Sequence, residues 1–268
     1  LREMKTRVAI IGAFTIDEIV NGQGLVERPG GAPVYAGMGV VSSEGEAGAY
    51  TAWGEDFHFS RPSYLTIIRQ FLFNKTIRFR IGFEGDKRVL VLRAIHDRMP
   101  VDIGILRGWE GLILNPVCNE LSWGDLEIDK PVGVDIQGFI RVCEVDKPIT
   151  YTHLRRVKVS SPLTVFHANA EELSLADLSV EDIHEMGFKE VLVSDGQNGF
   201  VLHVKEGPKE KFAPQRVGNY EIGNGDYLLS TYFTHRVKGL DELASARIAS
   251  ILTQEFSISG PTLPLPQG

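Results

Sequence analysis

A chain of 268 residues with 43% hydrophobic and 24% charged side chains has ordinary globular composition, and its length suits one large domain spanning 1–268. Its 28 Lys+Arg against 35 Asp+Glu leave a net charge of −7, which argues against a nucleic-acid partner, and no apolar run approaches the roughly 20 residues of a membrane-spanning helix. Cys118 and Cys143 are too few for a disulfide scaffold and form no CxxC pair for zinc or redox work, so a cytoplasmic chain is expected.

Arg2, Lys5 and Arg7 ahead of an apolar run imitate a signal peptide, but Gly12 interrupts the run and Asp17-Glu18 follow it. Val8 to Phe14, short and rich in β-branched residues, reads better as a strand covered on both faces of a parallel sheet. After Arg28-Pro-Gly-Gly-Ala-Pro33, the small residues from Val34 to Val41 predict a helix packed closely on that sheet. Ala49 to Trp53 predict a second strand, and Tyr64, Leu65, Ile68, Phe71 and Leu72 recur at helical spacing.

Ile77, Phe79 and Ile81 alternate with Arg78 and Arg80, and Gly85-Asp86 supplies a turn before Arg88 to Ala94. This is the pattern of an antiparallel hairpin with one wet face. It interrupts a parallel pattern, which predicts a small sheet projecting as a lid or interface. Its apolar face needs cover from a substrate or a second subunit. Buried strands resume at Leu112 to Leu114, Val132 to Val134, Val165-Phe166 and Val191 to Val193, giving an α/β architecture. Ser179-Val-Glu-Asp182 has capping-box spacing, Phe200 to Val204 reads as an antiparallel edge, and the Pro-bearing tail from Ser259 to Gly268 reads as extended.

Three places suit chemistry. Gly223-Asn224-Gly225-Asp226 precedes Leu228, Leu229, Tyr232 and Phe233 at helical spacing, so a glycine loop opens a helix and its free N–H groups suit an anion. Asp226 is then either a helix cap or a base facing that anion. Asn169-Ala-Glu-Glu172 ends a strand with hard oxygen donors that suit hydrated Mg²⁺, or is an ordinary acidic helix start. Ser194-Asp-Gly196-Gln-Asn-Gly199 is either a turn or a ligand loop at the carboxyl end of a parallel strand.

In this order the pieces resemble the ribokinase-like, or PfkB, family of carbohydrate and nucleoside kinases over nearly the whole chain. Asp17 and Gly30-Gly31 look like its sugar-binding elements, and Trp53-Gly-Glu-Asp56 like its Gly-x-Asp stretch. Asn115-Pro-Val-x-x-Glu120 and Asp135-Ile-Gln137-Gly-Phe-Ile-Arg141 are similar to its mid-chain strand ends. Asn169-x-x-Glu172 matches its Asn-x-x-Glu motif for Mg²⁺ and phosphate. Ser194, Gly196 and Gly199 look like its nucleotide loop, and Gly223 to Asp226 like its Gly-Ala-Gly-Asp anion hole and base.

The resemblance implies a three-layer Rossmann-like domain with a mainly parallel sheet, plus a β-sheet lid from insertions about 15–33 and 75–96 through which such kinases often form homodimers. It implies ATP with Mg²⁺ as donor, and Asp226 as general base. A small sugar or cyclitol would be the acceptor, bound by Asp17, Gly30, Gly31, Tyr35, Arg88 and Gln137. A nucleoside kinase and a non-catalytic ligand-binding or regulatory protein are the alternatives. Tyr35 stands where ribokinases carry a sugar-binding Asn, which disfavours ribose. Asn224, Ile222 and Tyr220 replace the usual Ala, Thr and Asp, which bears on ATP-loop geometry and on a monovalent cation.

Other templates are absent: the chain has no P-loop, no Gly-x-Ser-x-Gly elbow and no His-Glu-x-x-His. Gly37-Met-Gly39 lies inside a helix rather than after a strand, and the seven histidines show no ligand spacing and read as surface or satisfied core residues.

Overall fold

A computed structural model describes residues 4–85, 87–261 and 263 of the chain. Asp86 and most of the proline-bearing tail lie outside the described residues; Ser259 closes a helix instead of opening an extended segment.

Residues with alternating partners build the first strand. In β1 (Arg7–Ile11), Val8 and Ile10 pack into one apolar layer while Ala9 and Ile11 pack into the other, the two-residue period of a doubly covered strand. The chain then leaves the main sheet for β2 (Phe14–Asn21) and β3 (Gly24–Gly31). It returns through α1 (Ala32–Ser42), which has Pro33 in its first turn, where no amide is missed. β4 (Glu46–Gly54) pairs parallel to β1.

The segment with helical spacing at Tyr64 to Leu72 is not a helix. It forms β5 (Leu65–Phe73), parallel to β4 at the sheet edge. The register slips between Ala49 and Tyr50, so Leu65 and Ile67 face one layer while Ile68, Phe71 and Phe73 face the other. A bulge inside a strand covered on both faces breaks strict alternation and imitates the i, i+3, i+4 pattern.

β6 (Ile77–Glu84) and β7 (Lys87–Ala94) form the expected antiparallel hairpin. With β2 and β3 they make a four-stranded sheet ordered β3-β2-β6-β7, in which β2 and β6 run parallel. Its apolar face is covered within the chain: Ile77 and Phe79 pack with Ala13, Leu92, Val117 and Cys118. The cover that the sequence assigned to substrate or a second subunit is therefore largely internal.

The second half continues with β8 (Gly111–Leu114), the short β9 (Leu126–Glu127), β10 (Val132–Asp135), α2 (Gln137–Ile140), and the short strands β11 (Arg141–Val142), β12 (Thr150–Tyr151) and β13 (Val159–Ser160). Then come β14 (Thr164–Asn169), α3 (Ala170–Leu175), α4 (Val180–Met186), β15 (Glu190–Ser194), β16 (Phe200–Val204), β17 (Lys209–Phe212), α5 (Asn224–Val237) and α6 (Glu242–Ser259).

The nine-stranded sheet has the order β17-β16-β15-β14-β10-β8-β1-β4-β5. It is parallel from β5 to β15 and ends in an antiparallel β16–β17 edge. Helices α1, α5 and α6 cover one face around Leu229, Tyr232 and Phe233. Helices α3 and α4 with the segments around Trp109 and Phe139 cover the other. Each fully buried Val, Leu, Ile or Phe in these layers contributes about 1.5–3 kcal/mol. α4 opens on the Ser179–Asp182 capping box.

Cys118 and Cys143 are bonded to each other, so the chain carries one disulfide where the sequence suggested no scaffold. No helix among the described residues is long and apolar enough to cross a membrane.

Candidate active site

In an open parallel sheet the carboxyl ends of the strands form the ligand crevice, and here they open into a cavity of about 470 Å³. Asp135 closes β10, His167 and Asn169 close β14, and Ser194 closes β15, so three strand ends deliver polar groups to one rim. The small sheet roofs one half of the cavity with Asp17, Phe79, Ile81 and Arg88. The 213–222 segment and α6 wall the other half.

Every residue to which the resemblance gave an acceptor, donor, metal or catalytic role lines this cavity except Gly30; Asp56, Asn115 and Glu120 of the other motifs do not line it. Gly30 lies beneath Asp17: a Cβ there would sit 2.3 Å from Asp17 Oδ2, so its contribution is the room it leaves for that carboxylate. Thr15 Oγ1 donates to Asp17 Oδ1 at 3.0 Å. Burial pushes the Asp17 carboxyl up to about 6, opposed by the Thr15 hydrogen bond and by Arg88 and Arg141.

The glycine loop does open a helix. Gly223 has φ 78° and precedes α5 with no side-chain cap, so the first amides of the helix are left to face the cavity. A Cβ on Gly223 would stand 2.2 Å from the Tyr35 ring; glycine is required there by both conformation and space. Asn224 Nδ2 donates to the Tyr220 carbonyl at 2.7 Å, tying the loop down at two positions where this chain departs from the motif it resembles.

Asp226, in the first turn of α5, accepts a hydrogen bond from Asn115 Nδ2 at 2.9 Å. Burial first and the nearby Asp135 charge second push its carboxyl up to about 7, against the pull of Asn115, His167 and Arg141. Asn169 and Glu172 form a reciprocal capping box, with Asn169 N–H to Glu172 Oε1 at 2.9 Å and Glu172 N–H to Asn169 Oδ1 at 2.7 Å. Glu172 nevertheless lines the cavity, and burial with Asp135 pushes it up to about 7. The helix-start and ligand readings of this motif are thus compatible: one carboxylate caps α3 and faces the cavity.

Sequence reasoning missed His167. Its Nδ1 lies 2.6 Å from Asp135 Oδ2 and its Nε2 2.9 Å from Ser194 Oγ. The available signal was its place at a strand end two residues before Asn169, which spacing among histidines does not register. Glu120 proves to be an anchor: its carboxylate accepts the backbone N–H groups of Ala13, Val117 and Cys118, pinning the end of β1 to the loop after β8. Arg141 donates to the Val117 carbonyl at 3.0 Å and lies over Phe79, linking that loop to the roof.

No protein-family model matches the sequence, and no curated protein matches it. Solved structures do match. A pyrophosphate-dependent kinase in the ribokinase family, determined as a sulfate complex, superposes with a TM-score of 0.75 over 97% of both chains at 16% identity. The chain has the ribokinase-like fold. Arabidopsis thaliana ribokinase complexed with ribose and ATP shares this ribokinase-like architecture at a TM-score of 0.66 and 16% identity, over 97% of this chain and 96% of that one. Thermotoga maritima ribokinase does so at 0.68 and 16%, with the same coverage.

Proposed function

We propose that this protein is an ATP-dependent phosphotransferase that moves the γ-phosphate of ATP to a hydroxyl of a small sugar or cyclitol, with Asp226 as general base. The observation that carries the reading is the position of Asp226. It sits where the uncapped N-terminus of α5 meets the half roofed by Asp17 and Arg88, with its carboxyl tuned to about 7. A base of that pKa is half ionised at neutral pH and within reach of an acceptor hydroxyl. The α5 amides supply fixed positive dipole ends for the charge that spreads over a transferring phosphoryl group.

In this mechanism Asp17 and Arg88 bind acceptor hydroxyls, Gln137 faces them from α2, and Tyr35 forms a wall beside the ring. Asp226 takes the proton as the acceptor oxygen attacks phosphorus, and the small sheet excludes water from the step. The apolar Phe79 and Ile81 of the roof suit the C–H face of a ring, while Asp17 suits its hydroxyls.

Pyrophosphate is a second candidate donor, because similar structures include a pyrophosphate-dependent kinase complexed with a pyrophosphate analog and myo-inositol. The lining favours a nucleotide. The donor half presents Phe212, Pro214, Val217 and Leu228 with the uncharged Ser250, Thr253 and Gln254, and the described cations of the cavity, Arg88 and Arg141, lie toward the acceptor half. An apolar slot edged by neutral hydrogen-bonding groups suits a base and ribose; a bare polyanion calls for cations.

Among the described residues no three His, Cys, Asp or Glu side chains converge into a metal cage. Mg²⁺ that keeps most of its water and arrives with the phosphates fits such a site, and Glu172 is the carboxylate that would hold it. When bound it would neutralise phosphate charge.

The test is ATP and pyrophosphate consumption with Mg²⁺ across sugars, cyclitols and nucleosides, for the native protein and Asp226→Asn. Acceptor-dependent turnover lost in the variant supports the kinase. Absence of turnover with retained ligand binding supports the regulatory alternative.

A further inference from the structure

A continuous hydrogen-bonded chain runs under the floor of the cavity from its acceptor half to its donor half. The Gln137 backbone N–H donates to Asp135 Oδ1 at 3.0 Å, Asp135 Oδ2 meets His167 Nδ1 at 2.6 Å, and His167 Nε2 meets Ser194 Oγ at 2.9 Å. The side chains of Asp135 and His167 are each only 4% exposed, whereas Ser194 is half-buried at the cavity wall.

We infer that His167 is a positioning residue for the phosphoryl donor, holding the Ser194 hydroxyl in register with the donor's phosphates. This rests on the kinase reading above and adds a residue to it.

With Asp135 Oδ2 accepting at 2.6 Å, the ring carries a proton on Nδ1. Nε2 is thereby aimed at Ser194. Whether that nitrogen accepts from the hydroxyl or donates to it, the serine oxygen is pinned by the ring, and its remaining hydrogen-bonding capacity faces the cavity. An exposed serine rotor would otherwise sample three wells and lose entropy on binding.

The ring itself has little freedom. Its Cε1 would lie 2.9 Å from a Cβ placed on Gly225, so the imidazole rests directly against the first turn of α5, beside the amides assigned to the transferring phosphoryl group. Ser194 belongs to the donor half, because it pairs with Phe200, whose ring stacks on Phe212, and Phe212 lines the slot assigned to the nucleotide. Buried polar networks in which every member is satisfied hold geometry in this way.

The variants separate positioning from packing. His167→Asn keeps an amide at the Nδ1 position to satisfy Asp135 but cannot reach Ser194; His167→Gln reaches toward Ser194 but gives up Asp135. The readouts are steady-state KM for MgATP and for the acceptor, MgATP affinity by calorimetry, and the thermal midpoint.

His167→Asn and Ser194→Ala should each raise the KM for MgATP about tenfold, the scale of one lost hydrogen bond to a charged group, with the acceptor KM unchanged. The double variant should be no worse than either single one, since both remove the same contact. Ser194→Thr, which restores a hydroxyl, and His167→Gln should each recover part of the loss.

Additive losses, a shift confined to the acceptor KM, or a lowered thermal midpoint with an unchanged KM for MgATP would overturn the role of His167 and leave the kinase standing. A native protein that neither binds nor consumes MgATP would overturn both.

Discussion

Asn115 and Asp226, 111 positions apart, meet at 2.9 Å, the amide Nδ2 donating to the carboxylate Oδ1. The bond joins the end of β8 to the first turn of α5. It favours the ionised form of a carboxyl that burial otherwise pushes up, and so sets the pH at which the proposed base works.

With Asp226 as base, kcat/KM should rise with pH through about 7 and level off above it, because the ionised form is the active one. Asn115→Leu removes a group that favours that form, so the limb should move to higher pH. A pH–rate profile that keeps its limb in the variant would contradict the role given to this bond.

Stability should run the opposite way. Asp17, Glu172 and Asp226 have folded-state pKa values raised to about 6, 7 and 7 from ordinary values of 3.8, 4.5 and 3.8. Their contribution is therefore fully present below the unfolded values and is lost as pH rises through the folded ones. Asp226→Asn, which cannot ionise, should be more stable than the native protein by roughly 4 kcal/mol at pH 8 and about equally stable near pH 4. Urea unfolding at the two pH values measures the difference.

Gly223→Ala should destabilise the protein by about 1–3 kcal/mol and abolish ATP turnover. Its Cβ meets the Tyr35 ring, and its φ of 78° is left-handed. Gly22→Ala, with nothing near its Cβ, serves as the control and should leave both quantities nearly unchanged.

The Cys118–Cys143 bridge closes a sequence separation of 25, for which the chain-entropy relation gives about 3.5 kcal/mol. Reduction should lower the thermal midpoint and raise the acceptor KM, because the bridge holds Val117 beside Arg141 at the cavity. Titration of thiols in the unfolded, unreduced protein should find none; two free thiols would mean that the bridge does not form.

The fold was legible because burial on both faces writes short apolar strands into the sequence, and the hairpin at Ile77 to Ala94 because one face alternates. β5 was not, since a bulge and two apolar faces erase its period. The glycine loop was read correctly as a helix start, because the apolar positions after it keep helical spacing whatever the loop binds.

By itself the sequence determined the layered α/β architecture and the helix opening at Gly223, and it carried in order the motifs on which the resemblance to ribokinase-like kinases rests, all of which depend on local pattern. Only the tertiary structure decided that His167 joins Asp135 to Ser194, that Asn115 meets Asp226, that the two cysteines bond, and that Ile77 and Phe79 of the small sheet are covered from within the chain. The physical reason is that a parallel sheet brings strand ends together across long stretches of chain. Contacts made at those ends leave no periodic trace between the residues that make them.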